Sequence, residues 1–337
     1  MRYYFDDEAK ITPMATSKTP LALFTYNRPD HTLVTLNALA HCERLADCNL
    51  VIYCDGPKTD AEEARTAHTR RVVKDWASQN GAQVVERSRN LGLARSVVSG
   101  VTEQCENSGR VIVVEDDLVV SPDFLDYMLQ ALDRYQDSTQ VYQISGFMFP
   151  INLPEKPDAF FLPLTTTWGW ATWQRAWRAF NWDAESALGK LADPRVSRSF
   201  DLDGSFPYTE MLRHRLEGRN DSWGILWWYA VFTLNGLVLH PRQSLVWNGG
   251  FDNSGIHSGA PSDTMQSPRV LFDQPRFGSS LLFPDEIAVD HVAFYRVKDY
   301  LKSRSRKRSG VMGKLRQLKG ILITLNSNLN RNSGRGN

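Results

Sequence analysis

Four β-branched residues, Val111-Ile112-Val113-Val114, run directly into three carboxylates, Glu115-Asp116-Asp117, before Leu118 resumes the apolar pattern. A strand without polar alternation is buried on both faces, which places it inside a parallel sheet. Its acidic end then emerges at the carboxyl edge of that sheet, where open α/β folds bind ligands. Adjacent carboxylates repel one another and are costly to cluster without a counter-charge. Two readings stay open on the triplet alone. It is an acidic turn leading into the next helix, or it supplies oxygen ligands to a divalent cation such as Mg²⁺ or Mn²⁺ that carries a phosphorylated ligand.

The surroundings fit a sheet of that kind. Short apolar runs alternate with helical patterns through the first hundred residues, the order of βαβ units in an α/β protein. Leu21–Tyr26, Leu50–Cys54 and Gln83–Arg87 read as strands. Helices are expected after Asp30 as N-cap, from about Asp60 to Gln79, from Leu91 to Cys105 and from Asp123 to Tyr135. Beyond residue 140 aromatic residues become dense, and Asp221 is expected to cap a helix that begins near Trp223. The glycine-rich run from Pro241 to His257 reads as a long loop of the sort that folds over ligands.

Composition narrows the class. The chain has 337 residues, 42% apolar and 23% charged, with a net charge of +1. That is a soluble globular balance, and no overall field points to nucleic acid. Cys42, Cys48, Cys54 and Cys105 show no metal-ligand or redox spacing and read as reduced thiols. The segment through Lys18 carries Asp6, Asp7 and Glu8 and lacks the apolar core of a secretory signal. No apolar run is long enough to cross a bilayer, so a cytoplasmic location is expected. From Leu301 onward ten Lys and Arg residues occur with no acid. Mixed with Val311, Leu315, Leu318 and Ile321, they form an amphipathic tail that either lies on the anionic inner face of the plasma membrane or stays solvated.

Several motifs carry chemistry. Thr25, Asn27, Arg28 and Asp55 sit at the ends of adjacent strands, about 5 Å apart, and can surround one base edge. The same residues are ordinary turn formers. Asn90 and Arg95 flank Gly92 at an expected helix start, where amides and a guanidinium suit a pyrophosphate or a nucleotide edge. The run is neither a Walker loop nor a dinucleotide fingerprint. Asp221 is a helix cap or a base for an attacking hydroxyl. Trp168, Trp170, Trp173 and Trp223 read mostly as core, with one or two left to stack on a sugar. His257 is a metal or phosphate contact or a bystander.

Taken in order, Phe24-Thr25-Tyr26-Asn27-Arg28-Pro29, Asn90-Leu91-Gly92-Leu93-Ala94-Arg95, Glu115-Asp116-Asp117 and Asn220-Asp221-Ser222-Trp223 with the glycine-rich loop resemble a GT-A fold glycosyltransferase. The likeness is to family-2-like enzymes and to N-acetylglucosaminyltransferase I-like proteins, and it spans about residues 20 to 260. It implies a Rossmann-like α/β/α sandwich with a mixed, mostly parallel sheet. The implied layout is an extension (1–18), a GT-A domain (19–290, with a nucleotide-binding half to 140 and an acceptor-binding half from 141) and a basic tail (291–337). By the same resemblance Asp117 holds Mn²⁺ or Mg²⁺, with His257 as a further candidate ligand. Glu115 and Asp116 lie on the nucleotide side, with Asn90 and Arg95, while Thr25, Asn27, Arg28 and Asp55 face the nucleobase. Relatives carry an acidic pair where the inverting base resides, and here Asn220 and Ser222 flank a single acid, Asp221. The implied reaction is inverting, metal-dependent transfer of a hexosyl or N-acetylhexosaminyl group. The donor is a nucleotide sugar, UDP-linked and UDP-GlcNAc by resemblance, and the acceptor a glycan or lipid-linked saccharide, as in polysaccharide biosynthesis. The rival classes are a metal-dependent sugar nucleotidyltransferase and a non-catalytic carbohydrate-binding protein.

Overall fold

The computed structural model describes residues 18–153, 157–250, 277 and 281–304. In chain order the elements are β1 (Thr19–Thr25), α1 (Pro29–Ala40), β2 (Cys48–Cys54), α2 (Asp60–Asn80), β3 (Gln83–Glu86), α3 (Leu93–Ser108), β4 (Arg110–Glu115), β5 (Leu118–Val120), α4 (Phe124–Arg134), β6 (Val141–Ser145) and β7 (Ala159–Leu162). There follow β8 (Trp170–Trp173), α5 (Gln174–Trp177), α6 (Ala184–Lys190), α7 (Pro194–Phe200), α8 (Tyr208–Leu216), α9 (Gly224–Thr233), β9 (Leu237–Pro241), β10 (Val246–Asn248) and α10 (residues 291–304). They divide into two compact units. The units interleave along the chain: the first takes the described parts of 1–147, 166–178 and 245–281, the second the remainder.

In the first unit the strands run in the order β3-β2-β1-β4-β8-β6. β1 pairs in parallel with β2 and β4, and β2 with β3, while β8 is antiparallel to both β4 and β6. This is the mixed α/β sheet expected from the resemblance, parallel in its amino-terminal strands. Val111, Ile112, Val113 and Val114 of β4 are fully buried, as their unbroken apolar run requires. Burying each such side chain contributes roughly 1.5–3 kcal/mol before entropy is charged against it. The connections β1-α1-β2-α2-β3 march outward, and α3 then carries the chain back past β1 to place β4 on its other side. Right-handed crossovers put α1 and α2 on one face and α3 on the opposite one. Consistent with this, α1 packs on α2, and α3 packs on β1 and β4. The strand order therefore reverses between β1 and β4, and the crevice at their carboxyl ends is the topological switch point.

A second, two-stranded sheet pairs β5 with β10 antiparallel, Asn248 opposite Leu118. Part of the run expected to be loop is thus a strand, and it brings Gly249 and Gly250 to the end of the acidic triplet. The helix starts also differ in detail from expectation. Arg28 is the N-cap of α1 with Pro29 at the first position, so Asp30 lies inside the first turn. Gly92, at φ 76°, is the N-cap of α3, which starts at Leu93 rather than Leu91. All four cysteines are buried thiols, and burial pushes Cys42, Cys48 and Cys105 up to about 12, which leaves them inert.

In the second unit β7 pairs antiparallel with β9. Helix α9 buries Ile225, Leu226, Trp227, Trp228, Ala230 and Val231, apolar on nearly every side as a core helix must be. Trp228 stacks on Phe200 of α7 at 5.6 Å. Residues 291–304, assigned to the basic tail by sequence, form α10, whose Ala293, Val297 and Leu301 recur every fourth position and join this core. The rest of the tail, and with it the membrane-surface expectation, lies outside the described residues. Among the described residues no helix is long and apolar enough to cross a membrane. Trp170, Trp173 and Trp223 are buried, the ordinary reading of these residues, while Trp168 is partly exposed and packs edge-on against Phe147.

Candidate functional site

The switch point collects the charge. As β4 ends, each member of the triplet meets a different environment. The Tyr26 N–H, just past β1, donates to Asp116 Oδ2 at 3.1 Å, and Thr35 Oγ1, from α1, donates to the Asp116 carbonyl at 2.9 Å. Arg28 Nη1 donates to Asp117 Oδ2 at 2.8 Å, with both side chains mostly buried (14% and 18% exposed). The Gly249 N–H donates to the Asp117 carbonyl at 2.7 Å. Gly250 lies so close that a Cβ built on it would sit 2.2 Å from Asp117 Oδ2, so only glycine leaves that oxygen its present place.

The electrostatics follow from this crowding. Burial, then the charges of Asp117 and Asp116, push the Glu115 carboxyl up to about 8, with Arg28 opposing. Burial and Asp117 push Asp116 up to about 7, against the pull of Arg28 and the Tyr26 amide. Among the described residues three carboxyls crowd around the Arg28 guanidinium, and Glu115 and Asp116 relieve the crowding by holding protons toward neutrality. Among the described residues no three His, Cys, Asp or Glu side chains converge on a common metal position. A small hard cation such as Mg²⁺ is usually held by one or two carboxylates together with ligand phosphates. The residues fit such an ion by their oxygen chemistry, while Arg28 occupies the Asp117 oxygen it would need.

A second cluster lies beside the first. Asp55, at the end of β2, is buried, and its oxygens accept from the Gly56, Leu91 and Gly92 amides at 2.9–3.1 Å. Asn90 Nδ2 donates to the Gly56 carbonyl at 2.7 Å, and Arg70 Nη2 donates to the carbonyls of Asp55 and Arg87. A side chain on Gly56 would meet the Arg89 carbonyl carbon at 2.5 Å, so the two loops touch through backbone. Tyr26 joins the clusters: its hydroxyl donates to Glu62 at 2.7 Å and accepts from the Lys58 N–H at 2.9 Å. Burial, then Glu62, pushes that phenol up to about 12. Asn27 Nδ2 donates to the same Glu62 at 3.1 Å.

The structure therefore gathers Arg28, Glu115, Asp116 and Asp117, with Asp55, Asn27 and Asn90 alongside, and corrects several roles. Arg28, expected against a nucleobase, is instead bound to Asp117. Thr25 is buried in the sheet, and its hydroxyl donates to the Tyr53 carbonyl and contacts Cys54 Sγ at 3.3 Å, so it offers no group to a ligand. Arg95 is exposed in the first turn of α3 and has no ion pair among the described residues. Asp221 belongs to the second unit and does not cap α9, whose N-cap is Trp223. It is 58% exposed and pairs with Arg215 at 2.6 Å, and Ser222 Oγ instead accepts from the Ile225 amide. His257 lies outside the described residues. Tyr26, Thr35, Glu62, Gly249 and Gly250 were not singled out by sequence. Tyr26 acts through its amide and Thr35 lies a turn inside α1, so neither has a motif, whereas the paired glycines were visible and only their register was not.

No protein-family profile matches the chain, and no curated protein does. Among solved structures, GalNAc-T7 with UDP, GalNAc and Mn²⁺ aligns with a TM-score of 0.41 at 12% identity, over 69% of this chain and 44% of that one. Glucosyl-3-phosphoglycerate synthase from Mycobacterium tuberculosis, with Mn²⁺, UDP and glucosyl-3-phosphoglycerate, aligns at 0.29 and 14%, over 48% and 58%. A 4-diphosphocytidyl-2C-methyl-D-erythritol synthase from Anaerococcus prevotii aligns at 0.34 and 10%, over 68% and 91%. The chain spans less than two thirds of the length of the first two. Likeness of this degree assigns neither activity nor substrate.

Proposed function

We propose that the chain is a metal-dependent glycosyltransferase that uses a nucleotide-sugar donor, with Glu115-Asp116-Asp117 as its diphosphate and metal site. The observation that carries this reading is the placement of three crowded carboxylates, with a single guanidinium between them, at the switch point between β1 and β4. Asp117 is the metal ligand, its Oδ2 packed against Gly250. When bound, Mn²⁺ or Mg²⁺ offsets charge on a departing diphosphate. Asp116, fixed by the Tyr26 amide and Thr35, and Glu115 face the nucleotide. Asp55 and Asn90 shape the loop over the base, with Asn27 beside it, and Arg95 is an exposed cation in the first turn of the helix that follows. The donor class, UDP-linked, and the inverting course with Asp221 as base come from the resemblance in sequence.

The test is to incubate the protein with UDP-sugars and glycan acceptors in Mn²⁺ and follow UDP release. The reading predicts metal-dependent UDP release that rises with acceptor and is lost in Asp117→Ala. Pyrophosphate release from a nucleoside triphosphate and a sugar phosphate, with no UDP release from any donor, would overturn it in favour of a nucleotidyltransferase. Sugar binding with neither product would point to a carbohydrate-binding protein.

A further inference from the structure

Arg28 is held in an unusual way for a surface-edge arginine. Its backbone is fixed at the start of α1, where its carbonyl accepts from the Thr32 amide at 2.9 Å and from Thr32 Oγ1 at 2.8 Å. The residues before it are anchored as well, Tyr26 on Asp116 and Asn27 on Glu62. The side chain lies on Asp117 Oδ2, the oxygen that packs against Gly250. A guanidinium and a divalent cation cannot share that oxygen without strong repulsion at contact distance. Small hard divalent ions such as Mg²⁺ are usually held by one or two carboxylates together with phosphate oxygens. A diphosphate offers the displaced guanidinium a bidentate partner at the same time.

We propose that Arg28 is a resident counter-cation on Asp117 that competes with the divalent metal ion, so that metal and nucleotide diphosphate displace it together and bind with positive coupling. This rests on the reading of the triplet as a metal and diphosphate site. Binding of either ligand then strengthens the other by the same factor. The metal alone binds weakly because it must evict Arg28 with nothing to receive it.

The test is Mn²⁺ affinity, read from the free-ion electron paramagnetic resonance signal, for the wild-type chain, Arg28→Gln, Arg28→Lys and Asp117→Asn. Each is titrated with and without UDP, after correction for Mn²⁺ held by UDP in solution. Arg28→Gln is expected to bind Mn²⁺ alone about tenfold more tightly than wild type, the factor that corresponds to about 1.4 kcal/mol. Its gain from UDP is expected to shrink by a similar factor. Arg28→Lys, which keeps the charge, stays near wild type. Equal or weaker Mn²⁺ binding by Arg28→Gln overturns the competition, and so does an Arg28→Lys affinity that matches Arg28→Gln. Should Arg28→Gln not fold, the wild-type chain still decides: UDP must raise Mn²⁺ affinity at least tenfold, and no change refutes the coupling. Failure of the underlying reading looks different, because Mn²⁺ then binds no variant, or binds Asp117→Asn as well as wild type.

Discussion

Replacing Gly250 by alanine isolates the geometry at Asp117 without touching a charge. Gly250 does not adopt a positive φ, so the substitution carries no backbone penalty of that kind. Its cost is steric: the new Cβ would start 2.2 Å from Asp117 Oδ2 and 3.1 Å from Asn248 Oδ1, where real Cβ contacts are essentially never under 3.0 Å. The carboxylate must retreat by most of an ångström, away from its 2.8 Å bond to Arg28 and from the position proposed for the metal ligand. Overpacking of this sort costs about 1–3 kcal/mol. Misplacing a reacting constellation by about 1 Å costs on the order of 10²-fold in rate. Thermal denaturation in EDTA, the Mn²⁺-induced rise in Tm and the turnover of a UDP-sugar measure the three effects. Gly250→Ala is expected to melt a few degrees lower, to lose most of the Mn²⁺-induced rise and to lose about 10²-fold in turnover. Gly189→Ala, in α6 with nothing near its Cβ position, serves as control and stays neutral or gains slightly. A Gly250→Ala protein with wild-type Mn²⁺ response and turnover would refute the reasoning.

Other expectations follow from the same contacts. Asp55→Asn replaces an acceptor by a donor facing the Leu91 and Gly92 amides and should cost about 1–3 kcal/mol, read by urea denaturation; an unchanged midpoint would mean the clamp is idle. In EDTA the wild-type Tm should fall as pH rises from about 5 to 8.5. The Glu115 and Asp116 carboxyls sit at about 8 and about 7, above their unfolded values near 4, so the native state holds more protons and its advantage disappears through that range. Glu115→Gln should show a shallower fall, and parallel curves would count against the crowding. Asp221→Asn should keep donor and Mn²⁺ affinity while turnover drops by at least 10²-fold, the usual scale of general base catalysis; full turnover removes Asp221 as the base.

Much of the sheet is legible in the sequence, because the unbroken apolar run of β4 and the β1 and β2 runs each report burial directly. The acidic end of β4 was readable for the same reason, since a strand buried on both faces has nowhere else to put its charges. What was not legible depends on partners remote in sequence. Arg28 and Asp117 are 89 residues apart, and nothing near Arg28 distinguishes a guanidinium aimed at a base from one aimed at a carboxylate. The pairing of β10 with β5 is set by a register that only the folded chain specifies, so Val246, Trp247 and Asn248 read as loop. Helix starts moved by one or two residues for local reasons: Pro29 claims the first helical position ahead of Asp30, and Gly92, at positive φ, caps α3 so that it starts at Leu93 rather than Leu91. α10 was hidden inside a basic segment, where the charged residues Arg296, Lys298 and Asp299 interrupt its buried stripe of Ala293, Val297 and Leu301.

The central claim is that Asp117 and its neighbours hold a divalent cation together with a nucleotide diphosphate. Crystals grown with UDP and Mn²⁺, with data collected at the manganese absorption edge, test it most directly. The account predicts one strong anomalous peak within bonding distance of the Asp117 carboxylate and of the diphosphate, with the Arg28 guanidinium turned away from Asp117. A peak elsewhere, or none while UDP is bound and Arg28 still rests on Asp117, would contradict it.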